Sequence, residues 1–154
     1  MNNTADMIMV FLVLSNLALL GLSRLGACIR VTALQGVALG ILPPALNEWE
    51  PELHLVIFSA ALVILKGIVF PFILTRTLRE LKVLREIEPF IGYGTSIGLG
   101  TAALVLCMWL SSRLPLPAAM SALIIPVALF TIMTGLFLII TRKKAITQVL
   151  GYLV

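Results

Sequence analysis

Lys66 stands near the middle of Leu53–Thr75, LHLVIFSAALVILKGIVFPFILT, with no other charge between His54 and Arg76. About 20 apolar residues suffice to cross the hydrocarbon core of a bilayer. An ammonium at that depth costs at least about 2.5–3.5 kcal/mol on insertion scales, so lysines placed there usually face a partner or water rather than lipid. The chemistry open to Lys66 is that of a proton or ion relay, or of the positive half of an intramembrane ion pair. The plainer reading is a side chain that snorkels to the polar loop opening at Arg76. That loop is about nine residues away, roughly 13 Å at helical rise, which is too far for comfortable snorkelling. Beside the lysine, Gly67 and Pro71 predict a local kink, because the proline ring disturbs the carbonyl four residues back. Gln35, inside another apolar run, is the second candidate for an ion path or an intramembrane pair, and Asn16 is expected to bond a neighbouring helix.

The elements that position these residues follow from composition. The 154 residues are 60% hydrophobic and 12% charged, with a mean hydropathy of +1.12, against about 25% charge in soluble domains. The apolar residues come in long runs rather than at amphipathic spacing. This predicts an all-α fold, a polytopic transmembrane bundle in which residues 1–154 form one helical domain. The N-terminus, MNNTAD, lacks a basic region and a small-residue cleavage site, so the first span is expected to remain in the mature chain. No phosphate loop, CxxC, HExxH or Ser-His-Asp set is present, which leaves no catalytic, metal or cofactor-binding residues to nominate. Cys28 and Cys107 read as small buried hydrophobes, His54 as an interfacial or solvated side chain, and the basic surface is too sparse for nucleic acid.

Five complete spans are expected, at about 7–22, 28–46, 53–75, 91–110 and 116–141. Pro43 and Pro44 predict a break near the end of the second. In the fourth, Gly94 with Gly98, and Gly92 with Ser96, are spaced to let another helix approach closely. Ala145–Val154 reads as the start of a sixth span; ten residues reach only about 15 Å, so either this end lies on the surface or the natural chain continues past Val154. Arg24 and Arg30, the cluster Arg76, Arg79, Lys82 and Arg85, and the triplet Arg142, Lys143 and Lys144 mark the odd loops, whereas Glu48, Glu50 and Glu52 fill the second. The positive-inside rule then puts the odd loops in the cytoplasm and the N-terminus outside. The loop TRTLRELKVLREIEP suits either an amphipathic helix on the membrane surface or a partner, or a solvated extension held by pairs such as Arg76–Glu80.

Gln35-Gly36, LKGIVFPFIL at Leu65–Leu74, the basic loop after it and RKKAITQVLGYLV at Arg142–Val154 resemble component E of the hydrogenase-4 type complexes. The likeness covers essentially the whole chain, and K-x-x-x-x-P at Lys66–Pro71 and Q-x-x-G-Y at Gln148–Tyr152 are its most specific parts. In that family the last segment begins a helix similar to the small three-helix subunit of respiratory complex I and to the C subunit of multisubunit Na+/H+ antiporters. The family pattern continues into a Glu-Asn-Gly stretch that lies past Val154, so its membrane glutamate corresponds to no position here. The resemblance implies a non-catalytic membrane-arm subunit of a group 4 [NiFe]-hydrogenase or related respiratory complex in a prokaryotic cytoplasmic membrane. Its partners would be antiporter-like and complex I-like membrane subunits, a peripheral hydrogenase-like module and membrane lipid. The nickel–iron centre and iron–sulfur clusters would belong to partner subunits. Within such a complex, Lys66 would either serve the ion path or form a fixed pair in a scaffold subunit. A stand-alone transporter is the remaining reading; against it, the spans show no acidic partner for Lys66 and no inverted repeat.

Overall fold

The computed structural model describes residues 3–46, 53–80, 92–114, 123–141 and 145–154. All regular structure among them is helical: α1 (Asn3–Gly21), α2 (Leu25–Leu46), α3 (Leu53–Leu62), a π-helical segment (Val63–Val69), α4 (Phe70–Glu80), α5 (Tyr93–Ser112), α6 (Ile124–Thr141) and α7 (Ala145–Leu153). Five helices are long and apolar enough to cross a membrane: α1, α2, the continuous rod formed by α3, the π segment and α4, then α5 and α6. The helical state follows from the long apolar runs, since without competing water each backbone N–H and C=O must be satisfied within its own segment.

Several boundaries differ from the expected ones. The break expected at Pro43 and Pro44 does not occur, and α2 runs through both to Leu46. Two N–H groups are lost near the helix end, but proline's φ of about −65° is itself helical, so the dihedrals continue. The third span extends past Thr75 to Glu80. Arg76 and Glu80 form an exposed i,i+4 pair, Nε to Oε1 3.2 Å, while Leu74 and Leu78 are buried. The remainder of the basic loop, from 81 to 91, lies outside the described residues, as do positions 116–122 of the expected fifth span and 142–144.

Neighbouring helices alternate in direction, and two apolar clusters mark the ends of the bundle. One gathers Ala5, Met9 and Leu12 of α1, Ala38 of α2 and Val127 of α6. The other gathers Leu19 and Leu20, Leu25, Cys28 and Ile29, Leu74 and Leu78, Leu138 and Leu150. Thus α1 and α6 run from the first cluster to the second, and α2 runs back. α1 packs against α2, α5 and α6, while the rod rests chiefly on α2 and α7 on α6. In the α6–α7 crossing, a Cβ added to Gly135 would sit 2.6 Å from the Gly151 carbonyl oxygen, and one on Gly151 2.7 Å from that of Gly135. Only a glycine pair lets the two backbones meet that closely.

Candidate functional site

Between the two apolar clusters, the buried and half-buried side chains turn polar. Asn16 lies one turn from Leu12 and Leu19, Gln35 falls between Ile29 and Ala38, and Thr131 and Thr134 fall between Val127 and Leu138. Gln35 Nε2 donates to Asn16 Oδ1 at 3.1 Å. Asn16 Nδ2 donates to Thr131 Oγ1 at 2.9 Å, and Thr131 Oγ1 donates to the Val127 carbonyl at 2.7 Å. The donors run in one direction across α2, α1 and α6 and end on a backbone acceptor. Asn16 and Gln35 are 0% and 1% exposed, so an amide left without its partner there would cost the full desolvation of the group.

The network is not saturated. Gln35 Oε1, Thr32 Oγ1, Ser59 Oγ and Thr134 Oγ1 are buried and have no hydrogen-bond partner among the described residues. Thr32 and Gln35 are three residues apart on α2, and Thr131 and Thr134 three apart on α6, so each pair shares a face. All of these groups are uncharged. The layer can hold three helices in register, but it supplies no proton acceptor of ordinary strength.

Lys66 is built into the neighbouring interface by glycines. A Cβ on Gly36 would fall 2.6 Å from Lys66 Cβ, 2.8 Å from the Lys66 carbonyl carbon and 3.0 Å from its oxygen. One turn on, Gly40 meets Val63 Cγ2 and lies against the Ser59 carbonyl. Reciprocally, Gly67 of the π segment receives Val37, whose Cγ2 is 2.8 Å from the Cβ position. α2 and the rod therefore interlock at backbone distance, with the lysine at the point of closest approach.

The π segment has a local cause. Phe70 donates its N–H to the Leu65 carbonyl five residues back, and Pro71, next in line, has no N–H to give the Lys66 carbonyl. At Gly67 and Pro71, where a local kink was expected, the chain runs as a π-helix over Val63–Val69 and resumes as α4. Such π turns within α-helices recur at functional sites. Lys66 is half-buried, and among the described residues it makes no hydrogen bond or ion pair. It is also the only charged side chain in the middle third of any of the five long helices.

The two ion-path candidates are at one level but not joined. Gly36, next to Gln35, carries Lys66, whereas Gln35 itself reaches toward α1. Sequence reasoning gave Gly36 no packing role and missed Gly40, Thr32 and Ser59. The spacing of Gly36 and Gly40 was visible but had nothing to distinguish it from other small-residue pairs. Among the described residues nothing lies within 4 Å of a Cβ at Gly94 or Gly98, while Gly100 packs against Leu20 and Ser96 is buried.

The chain is 28% identical over 145 residues to Uncharacterized protein Rv0085 of Mycobacterium tuberculosis, covering 92% of this chain and 66% of that protein. It thus spans just under two thirds of the length of this curated relative. No family model matches the chain, and no solved structure matches it.

Proposed function

We propose that this chain is a non-catalytic integral-membrane subunit of a respiratory, energy-converting [NiFe]-hydrogenase-like complex, where it links membrane subunits and helps couple redox chemistry to proton or sodium translocation. In this reading the five long helices span a prokaryotic cytoplasmic membrane with the N-terminus outside, and α7 begins a sixth span. The observation that carries it is Lys66: a charged side chain set half-way along an apolar rod, packed at backbone distance on Gly36, with no carboxylate of its own chain against it among the described residues. Charges at such depth mark ion paths or intersubunit pairs. A purely structural role in the same membrane arm is favoured by the Asn16–Gln35–Thr131 network, which contains no titratable group.

The test is purification of the tagged chain in mild detergent with mass spectrometry of what accompanies it. Hydrogenase-like and antiporter-like subunits in stoichiometric amount are the expected result. A chain that purifies alone, folded and monodisperse, overturns the subunit reading and favours a stand-alone transporter. Lys66→Arg and Lys66→Ala then separate the two roles. A relay loses ion coupling with either change while the complex stays assembled; a fixed pair tolerates arginine and loses assembly with alanine.

A further inference from the structure

The rod bearing Lys66 is the least covered of the five long helices, with 6% of its most apolar window buried against 22–44% in the others. Ile64, Leu65 and Ile68, which flank the lysine, are 48–60% exposed. Any carboxylate that neutralises Lys66 has to reach this site. The chain has seven acidic residues, Asp6, Glu48, Glu50, Glu52, Glu80, Glu86 and Glu88. On the rod's own helix Lys66 is 14 residues from Glu80, or ~21 Å at helical rise. Asp6 lies next to the cluster end of α1 marked by Ala5 and Met9, away from the polar layer. The remaining five fall in sequence between the long helices. A second copy of the chain carries the same acids at the same levels and so brings none to the lysine. A lipid phosphate is too distant, since even Arg76, where polar residues resume, is ten residues on, ~15 Å.

We propose that the outer face of the α3–π–α4 rod seats a transmembrane helix of a different protein, apolar except for one aspartate or glutamate at the level of Lys66. The apolar flank of Ile64, Leu65 and Ile68 matches the rest of such a helix, and the positive charge selects its acid. The π turn holds the lysine backbone on Gly36, which fixes the height at which the carboxylate must arrive. The proposal takes the subunit reading above as its basis and names the chemistry of the partner at this face.

The experiment is photo-crosslinking in native membranes, with p-benzoylphenylalanine placed at Ile64 or Ile68 of the full chain, or at Ile140, which is 74% exposed on α6. Adducts from Ile64 and Ile68 are expected to map to one heterologous apolar helix, within a turn of an aspartate or glutamate. Lys66→Glu should reduce that adduct about tenfold, and exchange of the mapped acid for lysine should restore it; Lys66→Met should reduce it without restoration by the same exchange. Adducts confined to lipid, to another copy of the chain or to a helix without a carboxylate overturn the proposal. If Ile140 then crosslinks to hydrogenase-like or antiporter-like subunits, the complex reading survives without this interface. A carboxylate-bearing partner from outside any redox assembly would do the reverse, upholding the interface and removing the complex.

Discussion

Replacing Gly36 by alanine tests the contact on which the position of Lys66 depends. The new Cβ would lie 2.6 Å from Lys66 Cβ and 2.8 Å from the Lys66 carbonyl carbon. Carbon atoms rest at about 3.5–4.0 Å, so α2 and the rod must part by about 1 Å. The carbonyl carbon is backbone and Cβ is present in every residue but glycine, so no side chain can swing aside and Lys66→Ala should not rescue the variant. Overpacking of this kind costs about 1–3 kcal/mol. Alanine also gains about 1 kcal/mol of helix propensity over glycine, and Gly26→Ala on the same helix, where nothing among the described residues lies within 4 Å, supplies that gain without the clash. At about 2–4 °C per kcal/mol for a chain of this size, the Tm of Gly36→Ala should fall about 2–12 °C below that of Gly26→Ala. The assay is the monodisperse fraction on size exclusion after heating the detergent-solubilised chain through a temperature series. Equal midpoints for the two variants would refute the close interlock of α2 with the rod.

Three further outcomes follow from the geometry. A double-mutant cycle on Asn16→Leu and Gln35→Leu should return a coupling of about 0.5–2 kcal/mol in thermal or chemical unfolding, the range for hydrogen bonds between membrane helices; strict additivity would mean that the 3.1 Å bond between them contributes nothing. Gly151→Ala should loosen α7 from α6, because its Cβ would lie 2.7 Å from the Gly135 carbonyl oxygen. Hydrogen exchange over 145–154 should then rise well above wild type while α1 and α2 keep their protection, and unchanged exchange counts against the crossing. Lys66→Met should stabilise the isolated chain by about 1–3 kcal/mol, since it removes a charge that is costly in an apolar setting, yet reduce recovery of any complex built on that charge. An isolated chain destabilised by methionine would show that Lys66 is already paired within its own chain.

Residue by residue, legibility depended on how far each property reaches along the chain. Lys66, Gln35 and Asn16 were visible because a polar side chain inside a long apolar run is conspicuous whatever surrounds it. That Asn16 bonds both Gln35 and Thr131 was not visible, since the three sit on separate helices. Pro71 announced a disturbance near Lys66, but not its form, because a missing N–H does not say how the turns before it rearrange; here a π segment lies against Gly36. Gly94 with Gly98 and Gly36 with Gly40 have the same spacing, yet among the described residues only the second pair packs against another helix.

The sequence by itself determined that the chain is helical and that five segments are long and apolar enough to span a membrane. Both properties are sums over neighbouring residues, hydropathy across a window and hydrogen bonds from each N–H to a carbonyl a few residues back. Tertiary structure alone decided which face of each helix is buried, which glycines carry the crossings, and that the lysine-bearing rod lies at the edge of the bundle. A helix that is apolar on every side contains no stripe to say where its neighbour belongs. The choice is left to the fit of one surface against another, such as Lys66 on Gly36 and Val37 on Gly67, and that fit exists only once the helices are assembled.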